Sequence, residues 1–185
     1  SFRLWISIVL NLIITVAEVV GGIVANSLAL LSDALHNLSD TTSLGISLIA
    51  RRISRKQADK TRTFGYRRAE IIGAFINLLT LVIIALFLIK EGVERFFDPR
   101  EIQGNVMLIV AVIGLLGNLG TAAVLMGRFR SSLNLKSVFV HIVSDALSSV
   151  GVIIGGWLII QYGINWVDSV LTLVIGAYIL VHSYG

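Results

Sequence analysis

Six apolar segments, each close to the length that crosses a bilayer, leave this chain few folds to choose from. They run approximately Leu4–Val24, Leu28–Ala50, Ile71–Ile89, Val106–Met126, Val138–Tyr162 and Trp166–Val181. About 20 residues at ~1.5 Å each span the ~30 Å hydrocarbon layer. Strand-forming alternation is absent, which favours a helical bundle over a barrel. With 56% hydrophobic and 14% charged residues, the chain is too apolar for a soluble domain. The expected fold is all-α, a polytopic membrane protein with six transmembrane helices. No Gly/Ser linker or low-complexity tract divides it, so residues 1–185 read as one transmembrane domain. The first apolar run is longer than a signal-peptide core and carries Glu18, so it reads as a mature helix.

The connections set the topology. Asn26-Ser27 joins the first two segments and Gly163-Ile164-Asn165 the last two, both tightly, and Ser27 can cap the second helix. Trp5, Trp157 and Trp166 lie toward segment ends, as interfacial anchors do. Of the 15 Lys and Arg, only Lys90, Arg95 and Arg100 fall on the side of the tight links. The others precede the first segment or lie in the loops after the second and fourth, so both termini and those loops are expected to be cytoplasmic. A pI of 9.8 on a soluble protein would suggest nucleic acid; here the basic residues mark topology and anionic lipid heads. Glycines at 21–22, 114, 117, 120 and 155–156 are expected to let helices approach closely.

Against this background the nonapeptide Ser32–Asp40, SDALHNLSD, stands out, and His141–Ser149, HIVSDALSS, partly repeats it. An Asp at mid-bilayer costs about 2.5–3.5 kcal/mol even on lenient scales. On a helix, His36 and Asp40 stand one turn apart and about 40° apart round the axis, so they can reach one point. His141 and Asp145 repeat that spacing. The four lie in the middle third of the bilayer by residue count, with His36 ~12 Å and Asp40 ~18 Å from one face. Two imidazoles and two carboxylates from two helices match the tetrahedral preference of zinc for N and O ligands. There is no cysteine, so disulfides, thiolate sites and thiol nucleophiles are excluded. Asp33 shares the stripe of His36 and Asp40, so spacing alone leaves either carboxylate able to accompany the histidine.

The stretches NSLALLSDALHNLSD, TFGYRRAE and NLKSVFVHIVSDALSSVGVI resemble the membrane domain of the cation diffusion facilitator family, the zinc and related divalent-metal efflux transporters. The resemblance covers all six segments. It implies that His36, Asp40, His141 and Asp145 are the metal ligands, that Asp33 is not one, and that the protein is a homodimer exchanging metal for protons. In a bacterium the expected location is the cell (inner) membrane. Members usually continue into a soluble cytoplasmic metal-binding domain; this chain stops at Gly185 without one and reads as a fragment or truncated form. Some members carry extra histidines in cytoplasmic loops; these loops have none, so no second metal site is expected there.

The expected function is export of Zn2+, with Cd2+ or Co2+ also fitting the ligands, in exchange for protons. Zinc is here the cargo and not a catalytic cofactor. Metal needs deprotonated ligands, so metal and protons compete for the same atoms. An intramembrane zinc hydrolase is the first rival, but no H-E-x-x-H is present and four protein ligands leave no open position. A passive channel or scaffold is the second, and pH-independent downhill flux would favour it. Glu18, Asn77 and Asn118 read as buried hydrogen-bonding residues, with a hydrated ion path as the alternative. Asp168 suits the start of the last helix, and His182 reads as a surface imidazole.

Overall fold

The computed structural model describes residues 2–54, 67–126 and 135–182. They form six helices: α1 (Phe2–Ala25), α2 (Leu28–Ser54), α3 (Arg67–Phe97), α4 (Gly104–Met126), α5 (Leu135–Tyr162) and α6 (Trp166–His182). Successive helices run in opposite directions, so the bundle has two unlike ends. One carries the short links between α1 and α2, α3 and α4, and α5 and α6; we call it the turn end. The other faces the Lys- and Arg-rich connections and is the basic end. Those connections, and with them the expectation of no second metal site there, lie outside the described residues.

Four helices are long and apolar enough to cross a membrane: α1 over Ile8–Ala25, α3 over Ile71–Phe97, α4 over Gly104–Thr121 and α5 over Ser144–Tyr162. The apolar part of α6, Trp166–Val181, is shorter. The hydropathy of α2 is diluted by Ser32, Asp33, His36, Asn37, Ser39, Asp40, Thr41 and Thr42. It can carry them because it is the hub, packed by α1, α3, α5 and α6. Around it α1 packs on α4, α4 on α5, and α3 and α5 on α6. Its residues 27–30 and 32–37 are all buried. The outward faces are the reverse, with Ile71, Phe75, Ile83 and Phe87 of α3 each more than half exposed, as side chains meeting lipid are.

Helix α3 extends further than its apolar segment, because charge pairs continue it. Lys90 Nζ meets Glu94 Oε1 at 2.9 Å and Arg95 Nε meets Glu91 Oε1 at 3.1 Å, both at i,i+4. Small residues do bring helices together: a Cβ at Gly156 would lie 3.2 Å from the Leu108 backbone nitrogen, so α5 packs there directly on the α4 main chain. Gly120 is the exception, with open space where its Cβ would be.

The turn end is tied by one carboxylate. Asn26 takes a left-handed φ of 58°, a conformation asparagine tolerates, and ends α1. Ser27 then caps α2, its Oγ accepting from Leu30 N at 3.1 Å. Asp168, expected to serve its own helix, instead reaches across the bundle. It accepts from Ser27 Oγ at 2.5 Å, Leu28 N at 2.8 Å and Ala29 N at 3.2 Å. A buried carboxylate at an N-terminus takes up orphan N–H groups and favours the helix dipole. Removing it strands those donors. Asp168→Ala is expected to cost about 2 kcal/mol and Ser27→Ala about 1 kcal/mol, read by thermal unfolding in detergent. Equal, negligible losses would mean that the turn end is held by other contacts.

Candidate metal centre

α2 and α5 cross the bundle interior side by side in opposite directions, and their polar residues meet in layers. Nearest the turn end, Ser148 Oγ donates to Asp33 Oδ1 at 2.6 Å and Ser149 Oγ to Asp33 Oδ2 at 3.1 Å. One turn toward the basic end, His36 Nε2 and Asp145 Oδ1 are 3.0 Å apart. Asp40 Oδ2 lies 3.7 Å from the same Nε2. The antiparallel register that sets 33 beside 148 and 36 beside 145 brings backbone position 141 level with position 40. The side chain of His141 is not among those described.

Two ligands about 2.0–2.1 Å from one tetrahedral ion stand roughly 3.3–3.5 Å from each other. The 3.0 and 3.7 Å separations bracket that value. One ligating atom from each of His36, Asp40 and Asp145 falls within a 4.8 Å group, among the described residues the only such group of three or more. The donors are one nitrogen and two carboxylate oxygens, a hard-to-borderline set that suits zinc, cobalt or cadmium. At 3.0 Å His36 Nε2 and Asp145 Oδ1 are within hydrogen-bond distance, so a proton shared by these atoms and a cation bound by both compete for the same place.

Burial grades along α2. Asp33 is 1% exposed and His36 5%, whereas the Asp40 side chain is 21% exposed. The layer toward the turn end is thus shut and the layer toward the basic end more open. The Tyr178 ring of α6 meets the His36 ring nearly edge-on, with centroids 5.7 Å apart, and fixes its tilt.

Of the four residues predicted as ligands, three come together here. Asp33, the carboxylate that spacing alone left open, turns instead to the two serines of α5. Sequence reasoning missed those serines, Tyr178 and Asn37. The repeated SDAL tetrapeptide held the one available signal for Ser148 and Ser149, which follow its second copy. Nothing in the α6 sequence singles out Tyr178. Asn77 sits half-buried on α3.

Comparison with known proteins identifies the family. The family model for the cation efflux transmembrane domain matches residues 4–185. The cadmium, cobalt and zinc/H(+)-K(+) antiporter of Bacillus subtilis is 41% identical over 171 residues, 91% of this chain and 55% of the relative. The metal cation efflux system protein CzcD of Cupriavidus metallidurans is 44% identical over 169 residues, 91% of this chain and 54% of the relative. The zinc transporter ZitB of Escherichia coli is 38% identical over 164 residues, 88% of this chain and 52% of the relative. The chain spans about half the length of the curated relatives it matches. Matched by that family model along almost its whole length, this integral, multi-pass helical membrane protein belongs to the family of the cation efflux transmembrane domain.

Proposed function

We propose that this protein exports Zn2+, with Cd2+ and Co2+ as further cargo, from the cytoplasm in exchange for protons. His36, Asp40, His141 and Asp145 hold the ion, and alternate exposure of that site to the two faces moves it. The observation that carries the reading is the convergence of His36, Asp40 and Asp145 from two membrane helices on one ion-sized space. The level of backbone position 141 supports the fourth ligand. The relatives' printed names support the cargo, and their membership of one family supports transport over enzymatic chemistry.

Exchange follows from the ligands' double use. A proton shared between His36 and Asp145 occupies the atoms a metal needs, so a site that loads metal gives up protons and a site that takes protons releases metal. Two carboxylates and two neutral imidazoles carry a charge near −2 that one divalent ion cancels, leaving little net charge to move through the low-dielectric interior. The shut layer at Asp33 and the more open one at Asp40 suit loading from the basic end. Alternating access then requires helix groups to rock about a fixed midplane site. A homodimer is the expected assembly.

In sealed proteoliposomes, inward zinc flux driven by an outward proton gradient is the expected result, and His141→Ala and Asp145→Asn should each reduce it at least tenfold. Zinc calorimetry on the same variants should show affinity falling by about tenfold per pH unit for each proton displaced. Flux that survives His141→Ala, or binding indifferent to pH, would sink this reading.

The orientation has its own test, because the chain has no cysteine. A single cysteine at Glu101, near the turn end, should react with an impermeant maleimide in intact cells. One at Lys56 should react only after lysis. The reverse pattern would invert the direction of transport.

A further inference from the structure

α2 has a second polar face. His36 and Asp40 turn toward α5, whereas Asn37 and Thr41, each about 100° further round the helix, turn toward α1 and α4. Asn37 Nδ2 donates to Glu18 Oε2 of α1 at 2.7 Å, and Asn118 Nδ2 of α4 donates to Asn37 Oδ1 at 3.4 Å. One turn nearer the basic end, Asn11 Nδ2 of α1 donates to Thr41 Oγ1 at 2.8 Å. These residues recur at helical spacing, Asn11 to Glu18 along α1 and Gly114 through Asn118 to Thr121 along α4. A polar track therefore follows the junction of three helices and ends at Glu18. Beyond Glu18 the junction is apolar, with Gly21 set against Val110 and Gly22 against Leu31.

Glu18 is 0% exposed, and its Oε1 has no hydrogen-bond partner among the described residues; neither has Thr121 Oγ1 further along the track. Helix α4 contains no titratable residue, and α1 none beyond Arg3 except Glu18 itself. On α2 the titratable groups near Glu18 are Asp33 and His36. An open oxygen on a buried carboxyl calls for a bound partner. Gly114 makes room for that oxygen, since a Cβ there would collide with Glu18 Oε1. The donors are one carboxyl with amides and hydroxyls. With neither an imidazole nor a second carboxylate in the cluster, a divalent ion would keep an uncancelled charge in a poor dielectric.

We propose that Glu18, Asn37 and Asn118 form a second cation station, distinct from the metal centre, which holds one monovalent positive charge, a proton or an alkali ion, and gives it up along the track toward the basic end. The inference rests on the exchange reading above, in which the station supplies one of the counter-charges. Asn37 follows His36 directly in the chain, so the occupancy of the station and the tilt of the ligand-bearing helix are mechanically joined.

Infrared difference spectroscopy on the purified full chain tests occupancy without any flux. A carboxyl signal should change with pH in alkali-free buffer, or with added K+ or Na+ at fixed pH, and the two arms separate proton from alkali ion. The signal should vanish in Glu18→Gln and shift in Gly114→Ala, which keeps the carboxyl but forces Oε1 aside. In proteoliposomes Glu18→Gln should keep zinc affinity within about twofold while counter-charges per zinc fall by one. Wild-type protein that moves no counter-ion defeats the exchange reading but leaves the infrared result standing. A Glu18 signal that answers to neither pH nor alkali ion, or an unchanged count of counter-charges per zinc in Glu18→Gln, overturns the station. Should Glu18→Gln fail to fold, Gly114→Ala decides through the same two measurements.

Discussion

A carboxyl group carried out of water into a helix bundle must find its donors or cations there, and in this chain each such pairing has α2 or its cap on one side. Asn37 of α2 serves Glu18 of α1. Asp33 of α2 is served by Ser148 and Ser149 of α5. His36 of α2 meets Asp145 of α5, and the first residues of α2 serve Asp168 of α6. Each pairing offsets a burial cost of several kcal/mol, and each joins α2 to a different neighbour or a different level. A helix too polar to enter lipid alone is thereby stable at the centre of the bundle, and the bundle in turn is ordered by it.

That dependence explains what the sequence made legible. Period and length give six helices, because apolar runs of membrane-spanning length have few other uses. The H-x-x-x-D spacing at 36–40 and 141–145 puts ligand pairs on helix faces, because helical geometry is local. The offset between two helices is not local. Whether 36 stands beside 145 is decided by turn lengths and packing summed over the bundle, which no window of sequence contains. Spacing separates Asp33 from Asp40 only weakly for the same reason: both lie on the stripe of His36, and the height of α5 decides which meets serines and which faces the candidate ligand set. Asp168 was assigned to its own helix on local grounds, whereas its partners lie 139–141 positions away in the chain. Asn37 escaped notice because it is a neutral amide between the candidate ligands His36 and Asp40.

The register of α2 and α5 also orders the site in depth. The layer at Asp33 holds hydroxyls on both carboxylate oxygens and is sealed, so it works as a fastener between the helices. The next layers toward the basic end carry imidazole and carboxylates with growing exposure. In the proposed reading, fastening at one end and access at the other keep the ligand set in place without closing the route to it. Zinc chemistry asks for a ligand set so held, since ligand distances vary little from ~2.0–2.2 Å.

The two faces of α2 separate charges by kind. The α5-facing side presents two carboxylates and an imidazole, a set suited to a divalent ion. The side facing α1 and α4 presents amides and hydroxyls around a single carboxyl, which suits a single charge. One helix between them means that a small rotation moving ligands toward or away from α5 moves Asn37 and Thr41 against Glu18 and Asn11 by a comparable amount. Packed interfaces tend to switch between discrete arrangements rather than deform smoothly. A rigid helix bearing both sets is therefore sufficient to link occupancy on one side to geometry on the other, without any longer pathway through the bundle.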